Sequence, residues 1–220
     1  MWWKENKWRV IVPVLFLAVL LLALLAGGKA PKRTDSAAPA AATPSAKTTE
    51  SDPETGKDRY QTDPVPEGKP LPVEPEDAKI TDESHTCTIS ISCAAILENM
   101  DLCDPEKREL VPEDGWILQP TVVTFYEGES VFHVLKRTCK QNGIHLEFEN
   151  TPIYNSAYIE GIHNLYEFDV GELSGWMYSV NGWYPNYGCS RYALKDGDII
   201  EWRYTCDLGY DVGGGYAVGG

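Results

Sequence analysis

SGWMYSVNGWYPNYGCSRYALKDGDIIEWRYTC, residues 174–206, decides how the chain folds. Trp176, Tyr178 and Val180 alternate with Met177, Ser179 and Asn181, the two-residue period of a strand. Asn181-Gly182 follows, where a tight hairpin turn needs positive φ at both central residues. The aromatic run Trp183-Tyr184-Pro185-Asn186-Tyr187 comes next. Lys195-Asp196-Gly197-Asp198 reads as a second turn, feeding a strand with Ile200, Trp202, Tyr204 and Cys206 on one face. Glu201, Arg203 and Thr205 take the other face, so the first is the one to bury. Large aromatics on strands fill a half-buried pleated surface, which assigns Trp176 and Trp202 to the core. Trp183, Tyr184 and Tyr187 lie beside Pro and Gly and cannot all be regular strand. They either pack or form a recognition surface.

Working towards the N-terminus, the same two-residue period recurs. In His85–Ala94, Cys87, Ile89, Ile91 and Cys93 alternate with Thr86, Thr88, Ser90 and Ser92, a strand. Asp101–Gly115 is rich in charge and turn formers and reads as loop, and VVTFY within Gly115–Tyr126 reads as a second strand. Gly128-Glu129-Ser130 opens a helix with Ser130 as its N-cap. Val131, Phe132, Leu135 and Cys139 share one helix face, and Asn142-Gly143 stops it. Ile144–Glu149 alternates again, and Ala157–Ile162 with Leu165–Phe168 reads as a middle hairpin. Strands, one helix, then strands is an α+β order, here a β-grasp-like mixed sheet with one packed helix over residues 85–210.

The rest of the chain differs in composition. Residues 1–9, MWWKENKWR, form a short basic tip, read as cytoplasmic, with Trp suited to a membrane interface. Residues 10–26 are apolar and uncharged, a transmembrane anchor or signal segment. The anchor is the stronger reading, because Pro31 follows Gly28-Lys29-Ala30 and would hinder cleavage there. Residues 27–84 are rich in Pro, Ala, Ser, Thr and charge and read as a disordered linker. Residues 211–220 are a glycine-rich tail, expected to be disordered. The net charge is -14, and acidic and basic side chains balance over residues 1–80, so the excess lies in the folded part. Such a surface excludes nucleic acid and anionic lipid as partners of the domain.

Cys87, Cys93, Cys103, Cys139, Cys189 and Cys206 all fall in the folded part, with no C-x-x-C pair. That pattern favours disulfides over zinc, hence a domain outside the cytoplasm, or secreted if the N-terminal segment is cleaved. Folding about Asp196-Gly197 would bring Cys206 near Cys189, which predicts Cys189–Cys206. Cys139 on the buried helix face would then reach one of Cys87 and Cys93, which share a face of the first strand; Cys93 is the favoured partner, leaving Cys87–Cys103.

EGESVFHVLKRTC, AYIEGIHNLYEF and residues 174–206, in that order, resemble the transcobalamin-like C-terminal domain of bacterial surface proteins, a domain of unknown function. Gly175-Trp176-Met177-Tyr178, Asn181-Gly182 and Lys195 to Trp202 carry the resemblance, which spans about residues 85–210. In the cobalamin carriers of this family, the similar β-rich domain closes over cobalamin against a larger helical domain. Nothing before residue 85 can form that helical half. The resemblance therefore implies a corrinoid site with one wall, unless another protein supplies the second. Trp183, Tyr184, Asn186 and Tyr187 are the candidate ligand-binding wall, with no cobalt-ligating histidine.

No catalytic set stands out. His85, His133, His145 and His163 lack metal-ligand spacing, Asp196-Gly197-Asp198 lacks the repeated oxygens of a calcium loop, and G-x-S-x-G is absent. The sequence thus reads as a non-enzymatic, membrane-anchored, extracytoplasmic binding module. It requires no cofactor and takes a corrinoid or other ring-bearing ligand, with a transporter or cell-surface protein as partner. The alternative is a surface module that binds protein or glycan and no small molecule.

Overall fold

The computed structural model describes residues 51, 52 and 55–215. The basic tip, the apolar segment 10–26, linker residues 27–50 and tail residues 216–220 lie outside the described residues. Among the described residues, no helix is long and apolar enough to cross a membrane.

Strand β1 (Ser84–Ser92) follows the expected alternation, with Cys87, Ile89 and Ile91 buried. It pairs antiparallel with β2 (Trp116–Tyr126), from Ser84 opposite Tyr126 to Ser92 opposite Trp116. Helix α1 (Val131–Asn142) starts after Ser130 and ends at Gly143, whose φ of 66° is the left-handed cap a glycine accepts without strain. At its start, His133 Nδ1 accepts the Ser130 backbone N–H at 3.1 Å and lies 2.8 Å from Ser130 Oγ. Histidine thus fills the place that Glu or Gln takes in a capping box. Val131, Phe132, Val134, Leu135 and Cys139 of this helix are buried. They join Cys87, Ile89, Ile91, Ile200 and Trp202 in the main core.

The strands β3 (Leu146–Thr151), β4 (Ser156–Ile162) and β5 (Leu165–Tyr166) form a separate antiparallel sheet in the order β3-β4-β5. Among the described residues the fold is mixed α+β, but with two sheets and one α-helix rather than a single sheet. The other sheet is completed by β6 (Gly175–Val180) and β7 (Ile199–Thr205), in the order β2-β1-β7-β6. The central pair β1 and β7 is parallel, from Thr88 opposite Ile199 to Ser92 opposite Arg203. The second turn docks on β1: the Thr86 N–H donates to Asp196 Oδ1 at 2.9 Å, and the Gly197 N–H to Thr86 O at 2.8 Å.

Asn181 and Gly182 do have positive φ, 52° and 74°, but the turn is followed by a single bridge between Val180 and Trp183. The partner of β6 is β7, with Gly175 opposite Thr205 and Val180 opposite Ile200. Cys206 therefore lies at the Gly175 end of the sheet, not beside Cys189. All six cysteines are free thiols, and none of the three expected pairs forms. Each expected pair straddles two cores. Cys87, Cys139 and Cys189 lie in the main core, while Cys93, Cys103 and Cys206 lie in or against a second one with Ile96, Leu165, Val170 and Tyr204. Arg137, two residues before Cys139, donates to Thr124 O, and Thr124 pairs with Thr86. Cys139 thus sits over the Cys87 end of β1, with about 20 Å of strand between that end and Cys93.

Residues 55–83 contain neither helix nor strand, yet Thr62 and Glu74 are only 6% and 7% exposed. The expected free linker up to residue 84 is, over this stretch, a strap laid on the domain. The start of the tail is also packed: Gly214 and Gly215 are buried, and Asp211 accepts from Thr205 Oγ1 and from the Cys206 N–H.

Candidate ligand site between the aromatic loop and the strap

Trp183, Tyr184 and Tyr187 are only 7%, 5% and 6% exposed, so packing accounts for most of each ring. Tyr187 stacks on Tyr192 at 6.1 Å between centroids, and Trp183 meets Tyr187 edge-on at 6.0 Å. The Tyr178 hydroxyl donates to Tyr187 O at 2.7 Å, fixing the loop backbone on β6. Tyr184 turns the other way and donates to Val212 O at 2.7 Å. Of the four residues expected to bind ligand, Trp183 and Tyr184 are packed and lie outside the lining of a hollow that Asn186 and Tyr187 reach.

The strap closes over them. Proline lacks an N–H and cannot join a sheet ladder, but the carbonyls of an extended Pro-rich segment remain free acceptors. The loop uses them: Tyr187 Oη donates to Pro70 O at 2.8 Å, and Asn186 Nδ2 to Asp63 O at 3.0 Å. Lys69 Nζ lies 5.4 Å from the Trp183 ring centroid, a cation–π contact. Arg191, at 1% exposure, anchors the strap. Its Nη2 donates to Asp58 Oδ2 at 2.5 Å and Glu74 Oε1 at 2.7 Å, and its Nη1 to Thr62 Oγ1 at 2.5 Å. Asn155 Nδ2 then holds Glu74 Oε2 at 2.7 Å and Glu76 Oε2 at 2.9 Å. Burial alone would raise the Asp58 carboxyl. The Arg191 hydrogen bond and charge, with the N–H groups of Thr62 and Tyr60, outweigh it and hold the carboxyl below its usual range. Burial likewise works against the Arg191 cation, and the two carboxylates more than restore it.

Between strap, loop and second sheet lies a cavity of about 280 Å³. Tyr60 and Thr62 line it from the strap, Tyr154 from the turn between β3 and β4, Tyr158 from β4, and Asn186 and Tyr187 from the loop. Tyr154 and Tyr158 are 53% and 51% exposed. Tyr158 donates to Glu167, and burial with that carboxylate pushes its phenol well above the ordinary range. Two buried polar atoms on the lining residues, Asn186 Oδ1 and Arg191 Nε, have no partner among the described residues. The arrangement suits a ring flanked by tyrosines. No group of His, Cys, Asp and Glu converges as a metal site among the described residues.

Sequence reasoning missed Arg191, Asp58, Glu74, Tyr154 and Tyr158. Tyr60 carried a faint signal, being the lone aromatic in residues 27–84.

Residues 128–206 match the family model of DUF4430, a domain of unknown function. No curated protein is significantly similar to the chain. Among solved structures, haptocorrin in complex with Cbi superposes with a TM-score of 0.43 at 17% identity. That match covers 58% of this chain and 26% of haptocorrin, so the chain spans about a quarter of that protein. A metal-binding candidate from Ruminococcus gnavus superposes with a TM-score of 0.34 at 15% identity, covering 55% of this chain and 96% of that one.

Proposed function

We propose that the domain is a non-enzymatic ligand-binding module for a ring-bearing small molecule, with a corrinoid as the first candidate. It is carried outside the cytoplasm on an anchor at residues 10–26, where it serves an uptake system. The observation that carries the reading is the tyrosine-lined cavity between strap, loop and second sheet. The strap supplies the second wall that the loop alone lacks. At about 280 Å³ the cavity sits at the lower edge of the ~300–1,000 Å³ range of small-molecule sites. It takes one ring system. A corrinoid would insert a peripheral group and lay its macrocycle against the exposed Tyr154 and Tyr158. Because the six thiols are unpaired, the compartment rests on the apolar segment 10–26 and not on the cysteines.

Equilibrium dialysis of the full chain against cobinamide and cobalamin tests this. Saturable binding, weakened at least tenfold by Tyr154→Ala or Tyr158→Ala, is the expected result. Absence of saturation up to about 1 mM, the weak end of the affinity scale, removes the corrinoid.

A macromolecular partner has one observation in its favour. Phe168 is 61% exposed at a φ of 70°, a backbone state that a bulky residue rarely adopts. Exposed Leu173 and Leu208 flank one another, through the Leu208 N–H to Leu173 O bond, at the same end of the domain.

A further inference from the structure

The sheet face turned away from α1 holds a second hollow, a trough of about 320 Å³ over the central strands β1 and β7. Its floor is Ser90 and Ser92 of β1 with Glu201 and Arg203 of β7. These side chains alternate with the core residues Ile89, Ile91, Ile200 and Trp202 and so face outward. Trp116, half-buried on β2 opposite Ser92, stands at one side, and Asp211 of the packed tail at the other. Glu98 sits on the rim. Serines leave a depression because they are small, and they sit on the strand between two taller neighbours.

The lining limits what can bind. Glu98, Glu201 and Asp211 outnumber Arg203, so anionic ligands are disfavoured. Both β1 and β7 are paired on each side, so no strand edge is open for an added peptide strand. A purely aromatic ligand would dry the floor's hydroxyls and charges without replacing their water. Carboxylates only accept and guanidinium only donates, while Ser92 Oγ is already engaged, donating to Gly115 O at 3.1 Å and accepting the Ala94 N–H at 3.2 Å. A ligand of many hydroxyls, each both donor and acceptor, satisfies carboxylate and guanidinium together, and its C–H face can lie on the Trp116 ring. Arg203 and Glu201 are held at 2.6 Å from each other, and Ser179 Oγ donates to Glu201 at 3.2 Å, so the polar set is fixed before a ligand arrives.

We propose that this trough is a binding site for a short neutral saccharide, with Trp116 as the stacking platform and Glu201 and Arg203 as the hydroxyl-reading pair. The site is separate from the tyrosine-lined cavity and does not depend on the function assigned to it.

Isothermal titration of the full chain with cellotriose, maltotriose and triacetylchitotriose is the test. At least one should bind saturably, with a dissociation constant of about 1 mM or tighter. Trp116→Ala should weaken binding at least tenfold, while Tyr154→Ala in the other cavity leaves it unchanged. Should Trp116→Ala fail to fold, Ser90→Val keeps a strand-forming residue, fills the floor and should abolish binding. The proposal is overturned by no saturation with any of the three at 20-fold above about 1 mM. Binding that survives both trough variants, or is lost in Tyr154→Ala, overturns it as well.

Discussion

Arg191 is the residue on which the strap depends. Its guanidinium is buried against two carboxylates and a threonine hydroxyl, so its removal strands Asp58 and Glu74 without a cation. Breaking one side of a buried ion pair typically costs about 3–5 kcal/mol. Arg191→Met should lose stability on that scale in urea titration, and adding Asp58→Asn with Glu74→Gln should restore part of it. A triple variant no more stable than Arg191→Met would refute the assignment. The same contact sets a pH dependence. The Asp58 carboxyl is held below its ordinary value of 3.8 in the folded chain. Its contribution is therefore fully present above that value and is lost as pH falls through the lower, folded one. The stability gap between the parent and Asp58→Asn should hold from pH 7 to about pH 4 and narrow below it. A gap that closes already between pH 7 and 5 would point to another group.

At the scale of elements, β1, α1 and β7 were legible because burial imposes a period. Cys87, Ile89 and Ile91 mark one strand face, Ile200, Trp202 and Tyr204 another, and Ser130 with Gly143 bounds the helix. The strap was not legible. It is held by the carbonyls of Asp63 and Pro70 and by ions meeting Arg191, and none of these leaves an apolar rhythm in the sequence. Its prolines and charges are also what a free linker contains. The cavity suffered with it, since half its wall belongs to the strap and Tyr158 reads as an ordinary strand residue. The cysteine pairs failed for a different reason. Pairing was inferred from a turn at Asp196-Gly197, but the strand returning from that turn lies against β6 and not against the aromatic loop. The resulting element geometry predicts how the thiols react. Cys206 alone is partly exposed, and burial pushes its thiol up to about 12, so it should label slowly at neutral pH. Mass spectrometry after maleimide treatment should find one modified cysteine, Cys206, in native protein, and six after denaturation. Early labelling of Cys87 or Cys139 would contradict the core placement.

For the whole molecule, the sheet order β2-β1-β7-β6 has a temporal side. β1 finds β2 soon after it is made, but its other neighbour is β7, and the bond between Thr86 and Asp196 joins residues 110 apart in sequence. A chain that emerges from a ribosome or a translocation pore N-terminus first holds β1 as an unsatisfied edge for almost the whole passage. Beyond the β1–β2 pair, nothing in that sheet closes until residues 199–205 arrive. Nascent chains arrested before residue 199 should be digested by a pulse of protease, and those extended past residue 215 should resist. Resistance in the shorter chains would mean that the hairpin and helix fold unaided. A domain whose central strand is the last to be completed acquires its shape only when the chain is nearly whole, and until then depends on whatever holds the emerging chain apart from its neighbours.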